Sequence, residues 1–416
     1  MKTMGISFLI ALAAPLLVAC GSVNTEAPSE EGSNELKKIT LTKAQEAVGG
    51  SVTGFGIDLF REVALEEKDN MMISPFSASL CLSMLAAGAQ GETYSQMAKA
   101  LGFEGLPAED IASYYKSVVE GVLSADSSTK VSIADAIWIA KNMTLKKPYA
   151  SSVAADYNAV IDKLDFTNKP VALATVNGWA DRNTNGMIKK VLEDVDPHTR
   201  MMLANALYFN GKWRDAEAFS TSPRKFADLE RKARETMFFR GYGIDALWGR
   251  TSDGVTVFSL PYGNGAFRMV LVLPNYEKDF MKFLAGVDAA SWSKWMGSLG
   301  REKVNFEIPV FKSDFTMEDS FKKAMQKRGM ELAFTPQADF GKISDESLYV
   351  NMMLQKTAID VNEKGTEAAA VTVIGMKVTS VADPEPPKTF IADHPFIYAI
   401  VESTSNTLLF IGTHVK

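Results

Sequence analysis

The chain has 416 residues, 46% of them hydrophobic and 23% charged, the make-up of a globular protein with a large core. A formal charge of -6 argues against nucleic-acid binding, which needs a basic face, so no nucleic-acid partner is expected. No Gly/Ser- or Pro-rich linker divides the chain after residue 40, and a single domain over 41–416 is the simplest organisation.

The first twenty residues read as a segment to be removed. After Lys2 an apolar run extends from Ile6 to Ala19. At about 14 residues it is shorter than the roughly 20 that cross a membrane, and it has the proportions of a secretory signal. It ends Leu17-Val18-Ala19-Cys20-Gly21, which resembles the lipobox of bacterial lipoproteins. That resemblance implies a signal peptide over 1–20 and acylation of Cys20. It also implies a lipid membrane as partner and a place on the bacterial cell envelope, at the outer membrane. Residues 21–40 are polar and acidic, and read as a flexible tether. The one other cysteine, Cys81, sits in an apolar stretch, so no internal disulfide forms and Cys81 is expected to pack as a small hydrophobe.

From Ala44 the apolar residues Val48, Val52, Phe55, Leu59, Phe60 and Val63 recur at helical spacing. A second helix is expected to start after Ser74-Pro75 and run to Gly88. Val131–Ile139 reads as a buried strand, 172–192 as a helix and Met201–Phe209 as another strand. Val255–Leu260 and Phe267–Leu273 pair around the Tyr262-Gly263-Asn264-Gly265 turn. One strand is expected over Val304–Phe311 and a short helix after Asp319 up to Gly329. Met352–Val361, Phe396–Glu402 and Leu408–Gly412 complete the strands. Helices come mainly first and strands mainly last, which indicates an α+β fold with mixed or antiparallel sheets.

Enzyme signatures are missing. The chain has no Gly-x-Ser-x-Gly, His-Glu-x-x-His, Cys-x-x-Cys or Gly-x-Gly-x-x-Gly motif. Its three histidines, His198, His394 and His414, are too few for a His/Cys metal site. His394, beside Asp393, reads as a structural hydrogen-bonding residue. No catalytic residue, metal or cofactor is assigned, and the chain is expected not to be an enzyme.

One stretch is unusual. Glu363-Lys364-Gly365-Thr366-Glu367-Ala368-Ala369-Ala370 leads into a run rich in β-branched residues, then into a Pro384–Pro387 cluster. Written as a strand from Thr366, one face carries Thr366, Ala368, Ala370, Thr372, Ile374, Met376 and Val378, without a charge. Glu367 and Lys377 both fall on the opposite face. A loop patterned to become a strand suits insertion into a sheet; an ordinary strand with a small-residue face is the other reading.

The hinge EKGTEAAA resembles that of inhibitory serpins, and other serpin-like motifs follow in order over residues 44–416. They include Asn70 with Ser74-Pro75-x-Ser77, Asn177-x-Trp179 with Thr184-x-Gly186, and Asn205-Ala206-x-Tyr208-Phe209-x-Gly211-x-Trp213. Leu273-Pro274, Ala338-Asp339-Phe340 and Asp393-His394-Pro395-Phe396 are further ones. The resemblance implies a serpin fold of three β-sheets and eight to nine helices, with an exposed reactive-centre loop at about 363–388. It also implies a monomeric suicide inhibitor of serine proteases, with cysteine proteases as a further target class. The cleaved loop would insert into the main sheet and trap the acyl-enzyme. The alternative is a non-inhibitory serpin that serves as a binding protein on the cell envelope.

The hinge residues are then Glu363, Gly365, Thr366, Ala368, Ala369 and Ala370. Counting as the family does, 17 residues inclusively from Glu363, places the reactive bond at Thr379-Ser380, with Lys377-Val378 and Val378-Thr379 as alternatives. Lys377 suits a trypsin-like protease and Val378 an elastase-like one. Two positions depart from the family. Gln355 stands where many members have His under the main sheet. Val310 stands where many have the Lys that pairs with the hinge glutamate, which leaves Lys312 as a candidate partner of Glu363.

Overall fold

A computed structural model describes residues 34–157, 159–366 and 386–416. The sequence assigns 21–40 to a free tether, but its described end is fastened to the domain. Asn34 Nδ2 donates to Asp126 at 3.0 Å, and the Ile39 N–H donates to Thr404 Oγ1 at 2.9 Å. Helix α1 (Lys43–Glu67) starts at a reciprocal cap: Thr42 Oγ1 accepts from the Gln45 N–H, and Gln45 Oε1 from the Thr42 N–H. After β1 (Met71–Ile73), α2 (Pro75–Gly88) begins where Ser74 accepts from the Ser77 N–H, with proline in the first turn. Nearly every α2 residue is buried, Cys81 among them, as befits a helix that is apolar all round.

Helices α3 (Gly91–Leu101) and α4 (Ala108–Ser124) precede β2 (Lys130–Ala140), α5 (Lys147–Tyr157), β3 (Val160–Leu164) and α6 (Lys169–Asn183). The helix expected to reach Leu192 thus ends nine residues early. Thr184 Oγ1 donates to the Ala180 carbonyl, and Asn185 and Gly186 at φ 52° and 80° turn the chain back. Asn177 Oδ1 then accepts from the N–H groups of Val191 and Leu192. Those apolar residues are buried as their spacing suggested, but in a loop.

The rest of the chain is mostly strand: β4 (Met201–Lys212), β5 (Ser220–Ala227), β6 (Ala233–Arg250), β7 (Thr256–Pro261) and β8 (Phe267–Leu273). Two short helices, α7 (Phe280–Ala285) and α8 (Ala289–Gly297), lead to β9 (Gly300–Pro309) and β10 (Phe311–Met317). The single strand expected over 304–311 is therefore two strands in different sheets, parted at Val310, whose N–H donates to the Met237 carbonyl. Helix α9 (Asp319–Lys327) is followed by β11 (Met352–Asn362), β12 (Gly365–Thr366), β13 (Lys388–Ile391), β14 (Phe396–Glu402) and β15 (Leu408–His414). Nine α-helices among the described residues agree with the expected α+β architecture.

The described strands join into two continuous sheets where three were expected. The larger has nine strands, ordered β1-β15-β14-β8-β7-β6-β9-β13 with β5 on β6. Its long strand β6 shifts register against β9 between Gly241 and Ile244, which links what would be two sheets into one. The other has six strands, ordered β10-β11-β12-β4-β2-β3. One face of this sheet lies on the main core, through Leu203, Leu207, Phe209, Met353 and Ile359. The other carries α6 on a smaller core, where Trp138 meets Trp179 edge-on at 5.4 Å. Cover on both faces explains why β4 reads as one apolar run.

His414 closes β15 among Phe226, Phe311 and Phe396, with Nδ1 buried and lacking a hydrogen-bond partner among the described residues. Burial lowers its pKa from 6.5 to about 3. The folded state thus keeps the ring neutral while the unfolded chain protonates it, so stability falls as the pH drops from 6.5 toward 3. The loss is on the order of 5 kcal/mol when complete. Thermal unfolding across this range should show His414→Phe losing less stability than the wild type; equal losses would contradict the assignment.

Candidate functional site

The expected hinge meets the six-stranded sheet at the seam between β4 and β11. The two strands pair in parallel from Met352 opposite Met202 to Lys356 opposite Ala206. At the other end of the seam the chain turns through Glu363-Lys364 and re-enters as β12, antiparallel to both neighbours. Thr366 faces Val361 on β11 and Gly211 on β4, while Gly365 faces Asn362 and Lys212. The first two residues of the hinge strand already occupy the sheet.

Backbone and aromatic chemistry hold this entry. Gly365 has φ 153°, and a Cβ there would lie 2.1 Å from the Gly211 carbonyl oxygen, so only glycine fits. Trp213 donates its Nε1–H to the Asn362 carbonyl at 2.7 Å and its backbone N–H to the Lys364 carbonyl at 3.0 Å. Its indole stacks on Tyr262 at 4.2 Å between ring centroids. The Tyr262 hydroxyl lies 2.7 Å from Thr366 Oγ1, and Thr366 is 1% exposed. Thr366 therefore sits on the uncharged face written from the sequence, turned into the protein.

At its closed end the seam carries a polar line. The Ser74 N–H donates to Gln355 Oε1 at 2.7 Å, and Gln355 Nε2 donates to the Ser74 carbonyl at 2.9 Å and to Asn205 Oδ1 at 2.8 Å. Asn205 Nδ2 in turn donates to Asp135 Oδ1 at 2.7 Å. Four side chains or backbone groups thus connect α2, β11, β4 and β2 beneath the sheet. Burial pushes the Asp135 carboxyl up to about 8, against the lowering effect of the Asn205 hydrogen bond.

The remaining expected residues divide clearly. Glu363 occupies the turn before β12, and no ion pair to it is present among the described residues. Lys312, its candidate partner, pairs instead with Asp360 at 2.6 Å, because β10 and β11 place those two residues opposite each other. Ala368, Ala369, Ala370, Lys377, Val378, Thr379 and Ser380 lie outside the described residues, as does Cys20. His394 is engaged at both nitrogens, by Asp393 and the Pro274 carbonyl, each at 2.8 Å, in keeping with a structural role. Among the described residues no cluster of His, Cys, Asp and Glu could hold a metal ion.

Sequence reasoning missed Tyr262, which it placed only in a turn, and Asp135. A lone acid inside the apolar run Ile133-Ala134-Asp135-Ala136-Ile137 was the available signal, since a buried strand seldom carries one without purpose.

The chain matches the family model described as Serpin (serine protease inhibitor) over residues 50–416. It is 33% identical over 381 residues to Serpin-Z2A of Triticum aestivum, covering 86% of this chain and 94% of that protein. Against plasminogen activator inhibitor 1 of Neovison vison it is 31% identical over 375 residues, with coverage of 86% and 90%. The native crystal structure of the thermophilic serpin Tengpin superposes with a TM-score of 0.81 at 29% identity, covering 92% of this chain and 97% of that one.

Proposed function

The chain belongs to the serpin family, and on that footing we propose that it is a single-use protease inhibitor whose cleaved loop completes the β4–β11 seam. The observation that carries this reading is β12, which already pairs with both neighbours at the mouth of that seam. Continued in the same register, Ala368, Ala370, Thr372 and Ile374 would stand opposite Phe209, Leu207, Asn205 and Leu203 on β4. On β11 they would meet Ile359, Thr357, Gln355 and Met353. All eight of those partners are buried, so the uncharged face would be the one turned inward.

Insertion would break the five residue pairs from Met352–Met202 to Lys356–Ala206 and replace them with two new ladders. The gain is hydrogen bonds on both sides of the new strand and burial of its apolar face. Sixteen extended residues would span about 53 Å, enough to carry an attached protease across the domain. The reactive bond is read as Thr379-Ser380, with Lys377-Val378 and Val378-Thr379 as alternatives. The targets would be trypsin-like and elastase-like proteases. Cys20 is read as the lipid anchor that holds the monomeric inhibitor on the cell envelope.

Incubation with a trypsin-like and an elastase-like serine protease tests this. A covalent complex on a denaturing gel is expected, and mass spectrometry of the released peptide should show a start at Ser380, Thr379 or Val378. Loop cleavage that leaves the protease active would sink the inhibitor reading and favour a binding protein of the same fold. Partition into a detergent phase, lost in Cys20→Ser, tests the anchor.

A further inference from the structure

The hinge contains a bond whose cleavage by a trypsin-like protease would waste the inhibitor. Hydrolysis of Lys364–Gly365, with uptake of one water, severs the loop from β11 before it can insert. A protease takes its substrate as extended, unpaired backbone, so this bond is cut only when the hinge leaves the sheet. In the folded chain it is seated. The Trp213 N–H donates to the Lys364 carbonyl at 3.0 Å, and Gly365 and Thr366 pair with β4 and β11.

A buried carboxylate backs this seat. Asp126 lies in the turn between α4 and β2. Its Oδ1 accepts from the Ser128 N–H at 2.8 Å, the Ser128 hydroxyl at 2.6 Å and Asn34 Nδ2 at 3.0 Å. Its Oδ2 accepts from the Thr129 hydroxyl at 2.8 Å and from the Asn264 N–H at 3.2 Å. The Ser128 and Thr129 bonds shape its own turn. The Asn264 bond reaches the β7–β8 turn, 138 residues further along the chain.

That second turn is pressed onto the acid. Gly263 has φ 39°, and a Cβ there would overlap Asp126 Oδ2, so its backbone runs directly against the carboxylate. Asn264 adds a tie of its own, Nδ2 donating to the Ala125 carbonyl at 2.9 Å. On its other side the turn meets the end of β4. The Gly263 N–H donates to the Lys212 carbonyl at 2.9 Å, and Tyr262 bridges Trp213. Lys212 is the residue that faces Gly365, and the Tyr262 hydroxyl meets Thr366. The wall of the slot that holds β12 is thus backed by one turn, and that turn by Asp126.

We propose that Asp126 is a positioning residue that guards the hinge. It holds the β7–β8 turn against the end of β4, keeps β12 seated, and so spares Lys364–Gly365 from the protease that the loop is meant to trap. The consequence for inhibition rests on the insertion reading above. Without the carboxylate the Asn264 N–H loses its acceptor, and the turn is free to draw back from Lys212. The hinge then leaves the sheet more often, and cleavage of a transiently open segment rises with the open population.

The test incubates the full chain with a trypsin-like protease and identifies the fragments by mass spectrometry. Asp126→Ser keeps a hydroxyl for the Ser128 N–H in its own turn but is too short to reach Asn264. In it, the cut that makes Gly365 a new N-terminus should form about tenfold faster than in the wild type, as expected for one lost hydrogen bond to a charged group. Hydrogen exchange of the peptide holding the Gly365 and Thr366 amides should rise by the same factor, while peptides from β14 and β15 exchange as before. Ser128→Ala takes a donor from the same carboxylate but leaves the Asn264 bond, and should stay within about twofold of the wild type. Asn264→Ala frees the turn from Ala125 with the acid intact, and should also speed the hinge cut. An unchanged cut after Lys364 in Asp126→Ser or Asn264→Ala, a rise shared by β14 and β15, or an equal rise in Ser128→Ala overturns the proposal. A wild type that forms no covalent complex overturns the inhibitor reading alone, because the hinge cut and the exchange are read without it.

Discussion

Thr366→Arg is expected to turn the protein from a trap into a substrate, with covalent complex reduced on the order of 100-fold and the protease recovered active. Thr366 lies between Val361 and Gly211 in two ladders, and its hydroxyl is 2.7 Å from that of Tyr262. Arginine would bring a guanidinium into a site that is 1% exposed, beneath a tyrosine that offers no charge. Burying an unpaired charge costs several kcal/mol, so the arginine would be expelled from the place Thr366 holds and would have to be buried again on insertion; about 3 kcal/mol on that barrier slows the step roughly 100-fold. Loop cleavage is untouched, so deacylation wins the race. Thr366→Ala serves as the control: it deletes the hydroxyl contact but keeps a small side chain, and should trap almost as the wild type does. Denaturing gels with recovered protease activity decide it, and full trapping by Thr366→Arg would refute the role given to this face.

The second large effect is expected at Trp213. Trp213→Ala removes the stack on Tyr262 and the Nε1–H bond to the Asn362 carbonyl, and leaves a cavity beside the hinge. Truncation of a buried tryptophan costs about 3–5 kcal/mol, enough to lower the unfolding midpoint by several degrees. Trp213→Phe keeps an aromatic ring and forfeits only the hydrogen bond, so its loss should be about 1 kcal/mol. Chemical denaturation measures both. Limited proteolysis at Lys364 should accelerate in Trp213→Ala, since that carbonyl is held by the Trp213 backbone inside the same packed unit. A Trp213→Ala protein as stable as the wild type, with Lys364 still protected, would mean that the hinge is held by its ladders alone.

The hinge shows how much of this site was readable in advance. Alternation along Thr366, Ala368, Ala370 is a property of neighbouring residues, and the parity it predicted holds at Thr366, the described residue of that face. The start of α2 was legible for the same reason, because Ser74 and Pro75 act on the turn that follows them. The helix over 172–192 failed at Thr184, where a side chain caps the helix and a glycine at φ 80° reverses the chain, so apolar spacing outlasted the helix it implied. The partner of Glu363 failed differently. Lys312 was offered as a candidate, but strand register put it opposite Asp360.

Local order thus fixed the start of α2, the alternation of strands and the inward parity of the hinge at Thr366. Each depends on side chains a few residues apart or on the conformational limits of one residue. Only the folded chain decided which strands are neighbours, that β12 enters between β4 and β11, and that Trp213 and Tyr262 grip it. The same holds for the setting of Asp135: its carboxyl is raised by the burial that α2 and α4 impose, against the lowering hydrogen bond from Asn205, 70 residues away, and no stretch of sequence around the aspartate contains either.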